Sequence, residues 1–354
     1  MNYKSPLEEM SKTTPTQFWN DSCSLPALEY AISHGATGAT TNPVIISQVL
    51  EAEPHKHIPM IRELDVLNPH ATEDDIAWLL NEKMVTDAAK LLLPIYRKTA
   101  GKAGSITIQT NAKYHRDAER ITEQAVHFSS LAENILVKMP VTLAGLEAIE
   151  ESIYRGVNVA GTVCFSVSQA IEVAEAVERG MDRRTAEGLE NSFLSPVCAV
   201  MIGRVDDWLW EVAESNNIIV DPQAITMSGV AVIKNAYRIF KECGYRTRLL
   251  AAAYRHHHHW SELIGGDLSM TIPPMWIRRF IDSDITVENR MDTPVAPKLL
   301  AQLQKHFPDF NRAYEPDGME PYEFESYGAT NRTLTQFLNG YTKTVGIVRG
   351  IITK

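Results

Sequence analysis

Short runs of β-branched and small apolar residues recur along the chain. Each is followed by a longer stretch in which apolar positions return every three or four residues. The short runs predict strands at residues 16–23, 36–41, 105–110, 134–139, 157–165, 194–202, 247–253 and 268–272. Helices are predicted at 25–34, 74–99, 118–132, 142–155, 166–179, 205–216, 228–243 and 275–281. The period is plainest in 74–99, where Leu79, Leu80, Met84, Ala88, Leu91 and Leu92 share a face. Strand–helix alternation predicts a parallel sheet covered by helices, and eight units favour closure into a (β/α)8 TIM barrel. The rival arrangement is an open doubly wound sheet, which usually carries a Gly-rich phosphate turn after its first strand. Cys23-Ser24-Leu25-Pro26 stands there instead. Beyond about Val287 the pattern weakens, and residues 331–352 read as a final helix interrupted by Gly340 and Gly346. With no repeat, low-complexity segment or linker, the expectation is one domain over 1–354. It would have an N-terminal extension of about residues 1–15 and a C-terminal helical tail of about 287–354.

The length of 354 residues suits one barrel with insertions. Apolar residues at 44 % and charged residues at 22 % suit a large buried core. A formal charge of −10 speaks against nucleic acid and anionic membranes as partners, since both are bound through excess Lys and Arg. It leaves room for a small anionic substrate held by a local pair of arginines. The four cysteines, Cys23, Cys164, Cys198 and Cys243, form no C-x-x-C pattern and read as reduced thiols. The first residues, MNYKSPLEEMSKTTPTQ, lack an apolar core of signal-peptide length, and no run reaches the roughly 18 apolar residues of a membrane helix. A soluble, cytoplasmic protein is expected.

Barrel chemistry gathers at the carboxyl ends of the strands. There the sequence offers Asp21 in FWNDS, Thr40-Thr41-Asn42-Pro43, Gln109 in SITIQTN, Lys138 in NILVKMP and Thr162 in VAGTVCFS. The sixth and seventh strands add Ser195, with Arg204 beyond it in IGRVDDW, and Arg255 in LLAAAYRHHHH. Lys138 is the sharpest of these, because it stands between Val137 and Met139 in an apolar strand. A desolvated ammonium loses its proton more readily, which yields the amine that a Schiff base requires. The alternative is a solvated strand end, or a pair with Asp21.

WNDS around Asp21, TTNP at 40–43, VKMPVTLAGLEAI at 137–149, GTVCFS at 161–166 and LLAAAYR…ELIGGDLSMTIPP at 249–274 resemble the transaldolases and the related fructose-6-phosphate aldolases. The resemblance runs from about Phe18 to Pro274, with the motifs in order and each on its own strand. It implies a Schiff base on Lys138. It implies that Asp21 moves the C4 hydroxyl proton when the C3–C4 bond of a ketose breaks. Asn42 would hold substrate hydroxyls, Thr162 a catalytic water, and Ser195 the dihydroxyacetone end. Arg204 and Arg255 would bind phosphate, a role suited to two guanidinium forks. The residues alone also allow Asp21 to cap the following helix, Asn42 to serve as a turn residue, and Arg204 to pair with Asp206 or Asp207. The implied substrate is a small sugar phosphate in pentose-phosphate-type metabolism. No cofactor and no metal are expected, and a homo-oligomer, a dimer in preference, is.

Two departures stand out. Gln109 occupies the place of a glutamate in transaldolases, as it does in the fructose-6-phosphate aldolases; an amide can orient a water but cannot take its proton. His256-His257-His258-His259 follows Arg255, where the family has no such run. Read as a strand, at most two of these histidines share a face, so the expectation is that His256, alone or with one other, lines the anion pocket and the rest are solvated. Trp260 is expected beneath them, and Asp267 at a turn. The functions weighed are transaldol transfer, aldol cleavage releasing free dihydroxyacetone, a non-catalytic sugar-phosphate-binding barrel, and a metal-dependent aldolase.

Overall fold

Eight parallel strands close on themselves in sequence order in the computed structural model, which describes residues 3–353. They are β1 (Gln17–Asn20), β2 (Gly38–Ala39), β3 (Ser105–Gln109), β4 (Ile135–Pro140), β5 (Val159–Cys164), β6 (Val197–Val200), β7 (Arg248–Ala251) and β8 (Ser269–Ile272). β8 returns to β1 in register from Ser269 against Gln17 to Ile272 against Asn20. The chain is a TIM barrel, and every expected strand overlaps an observed one.

Alternation along each strand sorts the side chains. Outward-facing Phe18, Ile106, Ile108, Val137, Val159, Cys198 and Met270 join the main core under the helices. Trp19, Leu136, Ala160, Val197, Ala199 and Leu250 form a separate buried cluster, which fills the barrel interior. Two residues further along three of these strands come Asp21, Lys138 and Thr162. Polar groups therefore rise from an apolar plug as the next inward layer, at the carboxyl mouth.

The pattern of apolar residues missed several helices that begin with proline in their first turn, where the absent N–H costs nothing. Among them are Pro43–Ala52 and Pro54–Leu67, while Pro297–His306 and Pro308–Tyr314, which also begin with proline, fall within the expected helical tail. Another is Pro6–Thr13, which packs the segment before β1 onto the barrel: Leu7 and Met10 are fully buried, and the Trp260 indole N–H points at Met10 Sδ at 3.1 Å. Trp260 is itself buried and stacked on Phe280. Asp267 pairs with Arg248 at 2.6 Å rather than standing only at a turn. No helix among the described residues is long and apolar enough to cross a membrane.

The last helix is unbroken from Gly328 to Ile352, so neither Gly340 nor Gly346 interrupts it. It packs against the helices Pro43–Ala52, Glu73–Lys98 and Ile202–Ser215, which places it beside the carboxyl mouth. Gly340 lets it approach so closely: a Cβ there would meet Pro43 C and Val44 N at 2.9 Å. Gly346 is exposed, with nothing within 4 Å of a Cβ. The two glycines should respond with opposite signs in urea unfolding. Gly346→Ala is expected to add up to about 1 kcal/mol through helix propensity. Gly340→Ala is expected to cost about 1–3 kcal/mol through overpacking.

Candidate active site

Lys138 lies on β4, 3 % exposed, and its Nζ donates to the Thr41 carbonyl at 3.2 Å. Burial pulls its pKa from the ordinary 10.5 down to about 8; Arg204 pulls the same way and Asp21 opposes both. At pH 7 about a tenth of such a group is free amine. Asp21 ends β1. It keeps some exposed surface, yet loss of water raises its pKa, against the pull of Lys138 and a hydrogen bond from Thr40. The Thr40 hydroxyl donates to Asp21 Oδ1 at 2.5 Å and lies 2.5 Å from the hydroxyl of Thr271. Thr40 spends its proton on Asp21, so Thr271 donates to Thr40. The carboxylate caps no helix, since Ser24 occupies the N-cap of the helix Leu25–Ser33. Burial thus biases the lysine toward its neutral form and makes Asp21 a stronger proton acceptor than an ordinary carboxylate, the arrangement that acid–base chemistry near neutrality calls for.

Gln109 on β3 pairs in register with Lys138 and is buried. Thr162 on β5 is fully buried. Gln109 Oε1 and Thr162 Oγ1 both lack a hydrogen-bond partner among the described residues, an uncommon condition for buried polar atoms and one typical of functional sites. The register of β5 against β6 shifts between Gly161 and Cys164, and Val163 sits at φ +58°. For a β-branched residue this is strained backbone, and it turns the chain just after Thr162. Asn42 spends its side-chain oxygen on Val44 N at 2.9 Å and Ile45 N at 3.0 Å, capping the helix Pro43–Ala52. Its NH2 group is uncommitted among the described residues, so the cap and a substrate contact are compatible.

Ser195 must be corrected. β6 starts at Val197, so Ser195 precedes the strand instead of ending it. It lies with Gln17, Trp19, Ser105, Arg248 and Ser269 around the amino-terminal mouth, opposite Lys138. What β6 carries to the carboxyl end is Ala199, Val200 and Met201, none with a hydroxyl. The expected strand start at Leu194 lies three residues before the observed one, and Ser195-Pro196 separate Leu194 from the apolar run that forms β6.

The arginines exchange partners relative to expectation. Asp207 pairs with Arg255, accepting from Nε at 2.9 Å and Nη2 at 2.7 Å, and Arg255 is exposed. Arg204, in the first turn of the helix Ile202–Ser215, has no carboxylate partner among the described residues. Its Nη1 donates to Thr333 at 3.3 Å and to Gln336, its guanidinium lies 5.6 Å from the Phe337 ring, and its buried Nε is unpartnered. Burial, then the charge of Arg255, brings its pKa from 12.5 to about 10, so it stays cationic at neutral pH. A largely desolvated cation with unspent N–H groups and no carboxylate bonded to it favours an incoming anion.

Asp206 is taken by the histidines. His258–Ser261 is a helical turn, so the strand reading of the His run fails. Folded back, His256 Nε2 and His259 Nε2 reach Asp206 Oδ2 at 3.0 and 2.8 Å, while Asp206 Oδ1 accepts from Ser228 Oγ at 2.7 Å and Gly229 N at 2.9 Å. Desolvation raises the Asp206 pKa, but His259, His256 and the other donors outweigh it and leave the group low. Asp206, His256 and His259 have metal-ligand spacing. However, the Arg255 N–H donates to His259 Nδ1 at 3.1 Å, which puts the ring proton on Nε2, facing Asp206. A ligand through Nε2 would need a proton on Nδ1, directly against that N–H. The donor set therefore reads as a clamp between the β7 exit and the helix Ile202–Ser215. A Cβ on Gly203 would collide with the Ala253 carbonyl, so the same two segments also touch at the backbone. His256 thus binds Asp206, with its Nδ1 buried and unpartnered. His257 is exposed and His258 half-buried, so only part of the run is solvated.

Sequence reasoning singled out neither Thr271 nor Tyr254. Tyr254 is buried, its hydroxyl unpartnered, its pKa raised by burial and by the charge of Asp21. Both lay inside quoted motifs; only the fold brings them toward Asp21.

The family model for Transaldolase/Fructose-6-phosphate aldolase matches residues 18–317. A transaldolase of Chlamydia pneumoniae is 28 % identical over 287 residues, covering 77 % of each chain. One of Trichodesmium erythraeum (strain IMS101) is 27 % identical over 315 residues, 78 % of this chain and 80 % of its own. One of Thiobacillus denitrificans is 31 % identical, with the match spanning only about half of each chain: 49 % of this one and 48 % of its own. The family match takes in Lys138, Asp21, Gln109, Thr162 and both arginines, and the chain belongs to the transaldolase/fructose-6-phosphate aldolase family.

Proposed function

We propose that this protein is a cytoplasmic transaldolase, moving a dihydroxyacetone unit between sugar phosphates in pentose-phosphate-type metabolism through a Schiff base on Lys138. The observation that carries the reading is the buried amine with its pKa near 8, set beside an acid whose pKa is raised. The amine adds to the C2 carbonyl of a ketose phosphate, and loss of water leaves the ketimine. Asp21 takes the C4 hydroxyl proton as C3–C4 breaks; the bonding electrons pass into the enamine and an aldose phosphate departs. An acceptor aldose reverses these steps, with Asp21 returning the proton. Arg204 supplies the fixed positive charge for the phosphate. Arg255 joins it by exchanging Asp207 for a phosphate oxygen. Simple sugar-phosphate binding needs neither Lys138 nor Asp21. A homo-oligomer, a dimer in preference, is part of the proposal.

Gln109 favours a second reading, aldol cleavage with release of free dihydroxyacetone, because an amide cannot serve as the base that a glutamate would be. The ratio of transferred product to free dihydroxyacetone, with and without an aldose phosphate acceptor, separates the two.

Borohydride with a ketose phosphate should add one substrate fragment to Lys138, read by mass spectrometry of the peptide. Labelling at another residue, or an active enzyme with no adduct, would sink the Schiff-base reading. For the anion, Arg204→Gln is expected to raise KM for a phosphorylated substrate by about 2–3 kcal/mol, with little change for an unphosphorylated analogue. Arg255→Gln should cost less, since Asp207 already holds that guanidinium. An equal loss on both kinds of substrate would assign Arg204 a structural role.

A further inference from the structure

A small cavity beside Gln109 contains a second amide. Asn81, from the helix Glu73–Lys98, lines it with Gln109, Thr41, Asn42, Trp78 and Tyr341. Asn81 Oδ1 and Gln109 Oε1 are both buried without a donor among the described residues. Two acceptors on one space cannot satisfy each other. The space open to water-sized occupants is ≈ 20 Å³, room for about one water and too little for a sugar hydroxyl with its carbon.

We propose that Asn81 is a positioning residue of this site: its Oδ1 and Gln109 Oε1 together hold one water, each accepting one of its two protons. A water held this way keeps both lone pairs turned away from the amides. With Gln109 alone it would have one anchor and could rotate. The chemical consequence rests on the Schiff-base reading; the water site does not. In hydrolysis of the ketimine the water oxygen bonds to C2 and one water proton passes to Lys138 Nζ. The C2–N bond then breaks as the remaining hydroxyl proton also passes to Nζ, and the ketone and the neutral amine are restored. An oriented water makes this release faster relative to transfer, so Asn81 adjusts the outcome from the helix that leads into β3, which none of the strand motifs includes.

The test pairs high-resolution crystal structures with a release assay on the full chain and its Asn81→Leu and Asn81→Asp variants. Leucine matches asparagine in size and removes the acceptor; aspartate keeps it. Density for one water within hydrogen-bond distance of both oxygens is expected in the wild type and Asn81→Asp, and none in Asn81→Leu. With a ketose phosphate and no acceptor, free-ketone release relative to borohydride-trapped adduct should fall roughly tenfold in Asn81→Leu and recover in Asn81→Asp. A dry cavity in the wild type, a direct amide–amide bond, or a water retained in Asn81→Leu would overturn the proposal. So would an unchanged release ratio. Failure to trap an adduct on Lys138 in any variant would instead count against the Schiff-base reading, and the crystallographic result would still decide the water.

Discussion

The burial of one ammonium group organises this molecule. Lys138 stands above an apolar plug and below a mouth lined by strand ends, and the loss of water there shifts its proton equilibrium from 10.5 to about 8. At about 1.4 kcal/mol for each tenfold change, that burial costs the folded state about 3 kcal/mol at neutral pH. The cost is fully present below about pH 8, where folded and unfolded chains both hold the proton. It shrinks as pH rises toward 10.5, because the unfolded chain then binds more protons than the folded one. A barrel can sustain such a group because its large outer core does not depend on the interior layer.

The charges around Lys138 are set by the same geometry. Asp21 offsets part of the desolvation and Arg204 adds to it, so the lysine lies between one opposing and one like charge. Arg204 is held by the C-terminal helix through Thr333, Gln336 and Phe337. The Asp206 clamp fixes the helix that carries Arg204 to the strand exit that carries Arg255. Three segments distant in sequence thus converge around the two arginines, and the His run contributes structure there through Asp206.

Much of this was legible in the sequence, for a physical reason. A parallel strand buried on both faces is a nearly continuous apolar run, and a polar residue near its end stands out. Lys138, Gln109 and Thr162 are visible in this way, and all eight strands with them. Ser195 was misplaced because the expected strand took in Leu194, whereas Ser195 and Pro196 precede the apolar run in which β6 forms, and a shift of three residues carries a side chain to the other mouth. The arginine partners were unreadable because adjacency in sequence says little about a helix: Asp206 and Asp207 are close to Arg204 along the chain, yet one turns to the histidines and the other to Arg255. The His run defeated the strand argument by folding into a helical turn. Asn81 had no signal at all, since one polar residue on an otherwise regular helix looks like a solvated face.

The most direct measurement is titration of the Lys138 amine in the substrate-free protein, by NMR of the isotope-labelled lysine side chain. The wild-type amine is expected to titrate at about 8. In Asp21→Asn, loss of the opposing carboxylate should lower it further, and in Arg204→Gln, loss of the like charge should raise it. A wild-type value near the ordinary 10.5, or a rise in Asp21→Asn, would contradict the claim that burial and these two neighbours set the protonation of Lys138.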